Sequence, residues 1–145
     1  PIALCADHSG FEAKDRFKKI LQEMNIDFID FGTHVTNNCD YKYFIEQAAG
    51  SKNDGTCDFI LGFCRTGQGV NMCANKFKNI RSALIYDEFS AAMAIRHNCA
   101  NFFAFPDILC KSEQYVKNIL NILTTNSFDG GRHQARIQDL ENEDI

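Results

Sequence analysis

Residues 59–76 of this 145-residue chain read FILGFCRTGQGVNMCANK, and they carry the clearest structural pattern in the sequence. Its first five residues are apolar and follow the polar segment 53–56, a pattern typical of a short strand buried on both faces. The chain must then turn, and Gly67 and Gly69 allow a tight turn whose backbone N–H groups come close to a bound anion. Residues 70–76 have the composition to begin a helix. The stretch therefore predicts a strand, a glycine turn and a helix.

The same turn offers groups that suit proton transfer. Cys64 supplies a thiol, Thr66 supplies a hydroxyl, and the residues from Gly67 to Gly69 supply a row of amides. Such a set favours a reaction in which a base removes a proton and the amides stabilise the resulting oxyanion. The alternative is a plain connection whose glycines serve only the turn, because a glycine pair is a weak signal.

On both sides of this stretch, the chain alternates between strand and helix patterns. The other predicted strands are 2–5, 27–31, 82–86 and 101–105, and the other predicted helices are 11–25, 41–50, 88–96 and 112–123. Five strands alternating with helices indicate a parallel sheet with right-handed crossovers, a Rossmann-like three-layer α/β/α sandwich. The length predicts one domain, 1–145, ending in a helix and an acidic tail from about 131. Ligands of such sheets bind beyond the carboxyl ends of strands, which is where Asp7-His8 and Cys64-Arg65-Thr66 fall.

Composition narrows the functional classes. Hydrophobic residues make up 45% of the chain and charged residues 23%, as in an ordinary globular protein. A net charge of −4 argues against non-specific nucleic-acid binding. No apolar run approaches the roughly 18 residues that span a bilayer, so no membrane association is expected. The seven cysteines include no Cys-x-x-Cys pair, and no apolar leader precedes them, which predicts free thiols in a reducing, cytoplasmic setting.

Histidine and arginine are grouped in polar segments. Three of the four histidines lie in Asp7-His8, Arg96-His97-Asn98 and Arg132-His133, outside the predicted apolar core. Arg132 and Arg136 have i, i+4 spacing, which places both guanidinium groups on one helix face, as binding of a phosphate would need. The alternative for Arg136 is pairing with the acidic tail.

A family resemblance emerges from the motifs in order along the chain. They are Asp7-His8-Ser9-Gly10-Phe11, Asp40-Tyr41, Cys64-x-Thr66-Gly67-x-Gly69 with Ala74-Asn75-Lys76, Ile80-Arg81, His97-Asn98 and Gly130-Gly131-Arg132-His133-Gln134-x-Arg136. Together they resemble the ribose-5-phosphate isomerase B family, which also includes the galactose-6-phosphate isomerase subunits. The resemblance covers nearly the whole chain.

The resemblance implies an aldose–ketose isomerase of carbohydrate metabolism, in the pentose phosphate pathway. Cys64 would move the proton between C1 and C2 of an open-chain aldose phosphate, and Thr66 with the Gly67–Gly69 amides would hold the cis-enediolate oxygen. His97 would assist opening of the furanose ring. The residues implied to bind sugar hydroxyls are Asp7, Tyr41 and Asn98, and those implied to bind phosphate are His8, Arg132 and Arg136. The scheme requires no metal and no cofactor.

Three positions depart from the family pattern. Arg65 replaces a glycine of the loop, Ile108 stands where an arginine that contributes to phosphate binding is expected, and Lys42 replaces a proline. Arg65 is a candidate to replace the missing charge. The departures at Arg65 and Ile108 leave open a six-carbon aldose 6-phosphate, of the allose or galactose type, as the substrate. A non-catalytic sugar-phosphate sensor is a further alternative, although such a protein would not need Cys64.

A nucleotide- or flavin-binding module is also compatible with the fold. The loop lacks the third glycine of a Gly-x-Gly-x-x-Gly motif, however, and no acidic residue stands where a ribose anchor is needed. These absences favour a sugar-phosphate enzyme.

The predicted site does not fit within one chain. His97 ends a helix that leads into the fifth strand, so it is expected at the amino-end edge of the sheet, opposite Cys64. A two-fold homodimer, alone or as a dimer of dimers, would bring His97 of one chain to Cys64 of the other. The sequence therefore predicts shared active sites.

Overall fold

The computed structural model describes residues 1–142, which form one parallel sheet covered by helices. The strands are β1 (Ile2–Ala6), β2 (Phe28–Asp30), β3 (Phe59–Cys64), β4 (Ser82–Leu84) and β5 (Phe102–Pro106). The helices are α1 (Phe11–Glu23), α2 (Lys42–Asn53), α3 (Gln68–Ala74), α4 (Glu88–Arg96), α5 (Glu113–Thr125) and α6 (Arg132–Glu141). The strand order is β2-β1-β3-β5-β4, and every pair is parallel. The predicted α/β sandwich is confirmed. In the described part of the chain, no helix is both long and apolar enough to cross a membrane.

Apolar side chains fill both faces of the sheet. On one face, α1, α4 and α5 bury a core around three aromatic rings, with the Phe17 ring centroid 4.9 Å from those of Phe63 and Phe105. On the other face, α2 and α3 bury Ile45 and Val70 against the sheet. The central strand β3 is therefore covered on both sides, as its unbroken apolar run predicts. Because both faces of this strand are covered, chemistry based on it has to take place at an end.

Several predicted boundaries differ from the structure. The sequence predicts that Gly50 closes the second helix, but α2 continues through it to Asn53. It also predicts that Pro106 stops the fifth strand, yet this proline is the last residue of β5 and aligns with Cys64. The strand tolerates the proline because pairing ends there. The acidic tail predicted to run to residue 145 lies, from residue 143 onward, outside the described residues.

The carboxyl ends and the amino ends of the strands form two opposite edges of the sheet. The carboxyl ends of β1, β3 and β5 lie together, because Ala6 aligns with Phe63 and Cys64 aligns with Pro106. The amino end of β5 receives the chain from α4, and the amide of Asn101 just before it donates to the carbonyl of Arg81 just before β4. Residues that leave β1 and β3 therefore lie at one edge, and residues that follow α4 lie at the other.

Candidate active site

A network of hydrogen bonds joins the loop after β1 to the loop after β3. Asp7 caps the turn that follows β1, with its Oδ1 accepting from the amides of Ser9 (2.9 Å) and Gly10 (3.0 Å) and from Ser9 Oγ (2.6 Å). Ser9 Oγ in turn accepts from the Arg65 amide at 3.0 Å. Asp7 is buried, so its position is fixed by these bonds. The two loops that carry the predicted residues are thus held as one unit.

Cys64 is the last residue of β3 and lies at the floor of this edge, with 5% of its surface exposed. Gly67 has φ +75°, a left-handed conformation that favours glycine, and it starts α3 with no side chain capping the helix. The Gln68 amide lies 3.4 Å from Thr66 Oγ1. A thiol, an exposed hydroxyl and the first amides of a helix therefore lie at the carboxyl end of β3.

Tyr41 covers the start of α3. A Cβ at Gly69 would lie 2.6 Å from the Tyr41 hydroxyl and 2.8 Å from its ring, so only glycine lets the ring approach this closely. Burial raises the pKa of Tyr41, and the nearby groups Cys73, Cys64, Asp40 and Asp7 raise it further. The phenol therefore stays protonated at neutral pH and is able to donate a hydrogen bond.

His8 and Arg65 lie at the rim of the same edge. His8 Nδ1 is 3.2 Å from both the amide nitrogen and the carbonyl oxygen of Cys39, which fixes the imidazole against the long loop after β2. Arg65 is exposed, and its carbonyl accepts from the Ile108 amide at 3.4 Å. Ile108 itself is 50% exposed. A backbone hydrogen bond thus joins a cationic residue and an apolar residue at this rim.

Asp107 gives the segment after β5 a structural role. Its buried carboxylate accepts from the Ala13 amide in the first turn of α1 at 3.0 Å and pairs with Lys111 at 3.1 Å. A carboxylate at a helix start is favourable because it meets unpaired amides and the positive end of the helix dipole. This segment therefore anchors α1.

The remaining predicted residues lie at the opposite edge of the sheet. His97 caps the carboxyl end of α4, Asn98 follows it on the surface, and the rings of His97 and His133 are stacked with centroids 4.3 Å apart. Arg132 and Arg136 are exposed on α6 and share one of its faces. His133 is buried, with 7% of it exposed, although it belongs to neither apolar core.

The structure thus gathers the predicted residues into two half-sites. Those at the carboxyl edge are Asp7, His8, Tyr41, Cys64, Arg65, Thr66, Gly67 and Gly69, and those at the amino edge are His97, Asn98, Arg132 and Arg136. Within residues 1–142, no three His, Cys, Asp or Glu side chains are grouped to hold a metal ion. Three contacts could not be predicted from the sequence: the link that Ser9 makes between the two loops, the position of Asp129 beside His97, and the stacking of His133 on His97. Each contact depends on which loops meet in the folded chain, and no local sequence pattern indicates which loops meet.

Comparison with known proteins identifies the family of this α/β sandwich. The ribose/galactose isomerase family model matches residues 2–140. Ribose-5-phosphate isomerase B of Escherichia coli is 33% identical over 137 residues, covering 94% of this chain and 91% of that protein. The chain belongs to the ribose/galactose isomerase family and is an aldose–ketose isomerase.

Solved structures agree in the fold. A ribose 5-phosphate isomerase of Thermotoga maritima superposes with a TM-score of 0.93 at 32% identity, covering 98% of this chain and 97% of that one. Ribose-5-phosphate isomerase B of Mycoplasma genitalium, solved with bound ribulose-5-phosphate, gives a TM-score of 0.87 at 30% identity, covering 97% and 93%.

Proposed function

We propose that this protein interconverts ribose 5-phosphate and ribulose 5-phosphate through a cis-enediolate, with Cys64 as the base. The observation that carries the proposal is the position of Cys64, which ends the central strand just before the Gly67 turn that starts α3. Relatives at about one-third identity bear the name ribose-5-phosphate isomerase B, and one was solved with ribulose-5-phosphate.

The reaction begins with a closed furanose ring. The anomeric hydroxyl loses its proton, the C1–O4 bond breaks as C1 becomes a carbonyl, and O4 gains a proton. Ring opening therefore neither consumes nor releases a proton overall. His97 serves this step, since imidazole both accepts and donates protons near neutral pH.

Proton transfer follows in the open chain. The Cys64 thiolate removes the proton from C2, and the electron pair moves through C1 to its oxygen, giving the enediolate. The amides that start α3 and the Thr66 hydroxyl stabilise this oxygen. Return of the proton to C1, with transfer of a proton between the two oxygens, yields the ketose. The atoms balance without any redox partner.

The two half-sites belong to different copies of the chain in this proposal. A parallel strand of five residues separates its ends by about 16 Å, too far for one small sugar to touch groups beyond both edges. A two-fold homodimer places the His97 edge of one copy over the Cys64 edge of the other. Arg132 and Arg136 then reach the phosphate from the partner, and His8 and Arg65 reach it from the Cys64 side.

Direct assay of the purified protein tests the substrate. Ribose 5-phosphate, allose 6-phosphate and galactose 6-phosphate are compared by kcat/KM, with unphosphorylated ribose as the control for phosphate recognition. We expect the highest value for ribose 5-phosphate. A higher value for either six-carbon sugar would reassign the substrate and leave the chemistry unchanged. Loss of activity in Arg65→Ala on the phosphorylated sugar alone would identify Arg65 as a phosphate ligand.

A further inference from the structure

The two stacked imidazoles at the amino edge form an unusual pair of groups. The ring planes of His97 and His133 are inclined by 16°, with centroids 4.3 Å apart. His133 is 7% exposed, whereas 36% of the His97 side chain remains exposed. One face of the His97 ring is therefore covered, and its other parts face solvent, where a partner copy would have to dock.

The backbone around this pair holds it in place. The Asp129 amide donates to the Arg96 carbonyl at 2.9 Å, and the His133 amide donates to the Gly130 carbonyl at 3.0 Å. The Asp129 carboxylate lies 3.3 Å from Arg96 Nε and 3.9 Å from His97 Nε2. The end of α4 and the start of α6 are thus joined at the point where the two rings meet.

The charges that face the pair come from α4, from α6 and from the segment just before α6. Burial lowers the pKa of His133, the neighbouring His97, Arg132 and Arg136 lower it further, and Asp129 opposes them. His133 is therefore uncharged at neutral pH. A neutral ring stacks on a second imidazole without adding charge repulsion.

We propose that His133 is a positioning residue whose ring face fixes the plane of the His97 imidazole for opening of the sugar ring. The inference rests on the proposed function, because it assigns a support to one step of that reaction. A general acid–base group works only when its nitrogen is within hydrogen-bond reach of the proton that it moves, and His97 sits at a helix end where its side chain would otherwise rotate. The stack removes that freedom.

The chemistry provides a way to separate this role from general support of the fold. Ribulose 5-phosphate has no five-membered ring, because its C5 hydroxyl carries the phosphate. Exchange of its C1 hydrogen with solvent deuterium requires Cys64 and the amides, and it requires no ring opening. Isomerisation of ribose 5-phosphate requires both steps. The ratio of the two rates therefore reports on ring opening alone.

We expect His133→Ala to lower isomerisation of ribose 5-phosphate by about 10- to 100-fold, as small misplacement of a catalytic group does, with less than a threefold change in C1 exchange. His97→Ala should give the same signature, more strongly. His133→Phe keeps a flat ring and should restore most of the isomerisation, whereas His133→Leu should not. Gln134→Ala, which alters the neighbouring exposed residue of α6, should change neither rate.

Three outcomes would overturn the inference. Equal loss of both rates in His133→Ala would indicate general support of the site, and full activity of His133→Leu would show that a flat ring is unnecessary. Failure of His133→Phe to restore activity would mean that a His133 nitrogen itself takes part. Wild-type protein that neither isomerises ribose 5-phosphate nor exchanges the C1 hydrogen would instead refute the proposed function, so the two failures are distinguishable.

Discussion

The chain's cysteines have one chemistry and different surroundings. Cys5 and Cys110 are buried, and burial raises the pKa of both thiols, that of Cys110 to about 12. These two stay protonated and pack as small apolar side chains. The irregular sequence around Cys110 suggests an exposed thiol, and that interpretation is wrong. Cys64 is also buried, but it ends β3 just before the Gly67 turn and the first amides of α3.

Replacing Cys64 by alanine should abolish proton transfer while leaving the fold intact. Loss of a general base lowers the rate by about 10²- to 10⁴-fold, and we expect kcat to carry this loss with little change in substrate binding. Steady-state kinetics with a binding titration measures both. Cys73→Ala, which alters a half-buried thiol on α3, is the matched control and should remain active. Near-normal turnover of Cys64→Ala would show that another residue is the base.

A buried ion pair stabilises the unit that carries Asp7 and His8. Lys14 on α1 is 1% exposed, lies 2.6 Å from Asp30 at the end of β2, and also donates to the Thr33 carbonyl. Burial opposes ionisation of Asp30, but the hydrogen bonds from Lys14, Lys18 and the Gly32 amide outweigh it and lower the pKa of this carboxyl. Burial also lowers the pKa of Lys14, and Asp30 offsets this only in part. Removing Asp30 would therefore leave a cation without its partner.

Asp30→Asn should lower the free energy of unfolding by about 3–5 kcal/mol at pH 7, the usual cost of breaking a buried pair. Urea unfolding measures this free energy. Glu113→Gln breaks an exposed ion pair with Lys19 and is the control, which should hardly change the urea midpoint. The folded-state pKa of Asp30 is lowered, so its contribution is present above about pH 3.9 and is lost as the pH falls. The difference between the variant and wild type should therefore stay constant from about pH 7 to about pH 5 and shrink as the pH falls below about 3.9. A difference that is constant with pH would contradict this assignment.

At the scale of elements, the turn from β3 into α3 depends on close approach. Gly67 adopts a left-handed conformation, and Gly69 lies in the helix with the Tyr41 ring against it. A Cβ at Gly50, by contrast, would meet no atom within 4 Å, because this glycine lies on the exposed face of α2. Alanine substitution at Gly69 and at Gly50 therefore separates the effect of the contact with Tyr41 from the effect of helix propensity.

Gly69→Ala should displace Tyr41 and lower kcat/KM by about tenfold or more, because a small shift of a group that binds substrate has a large effect on rate. Gly50→Ala should leave activity unchanged and raise stability by about 0.5–1 kcal/mol, the helix preference of alanine over glycine. Thermal unfolding compares the stability of the two variants, and steady-state kinetics compares their kcat/KM. Full activity of Gly69→Ala would mean that the Tyr41 ring is not required where it lies.

Sequence patterns predicted the elements well where the signal is local. The apolar run of β3, the alternation of strands and helices and the turn at Gly67 all follow from near neighbours. Gly50 misled the assignment of α2, because packing of Ile45, Ala48 and Ala49 outweighs the weak helix preference of one glycine. The stacking of His97 on His133 could not be predicted, since it depends on where α6 packs after the sheet has formed.

The proposed active site depends on the predicted homodimer, because it combines residues from two copies of the chain. Alternation of strands and helices fixes which edge each residue occupies, so the separation of Cys64 from His97 could be predicted from the order of elements alone. The way in which two copies meet could not be predicted from the sequence, because an interface depends on surface shape and on side chains far apart in the sequence. Subunit mixing tests the consequence directly.

Cys64→Ala and His97→Ala chains, each inactive alone, should regain activity when they are mixed and allowed to exchange subunits. A mixed dimer joins the Cys64 of one chain to the His97 of the other at one site, while its second site lacks both groups. Random exchange of equal amounts makes about half of the dimers mixed, each with one working site of two, so activity should reach about a quarter of the wild-type value. Cys64→Ala mixed with the double variant Cys64→Ala/His97→Ala is the control, because no pairing of those chains supplies Cys64. Two different affinity tags confirm that mixed dimers form. If they form and stay inactive, the two half-sites do not belong to one active site, and His97 must act elsewhere.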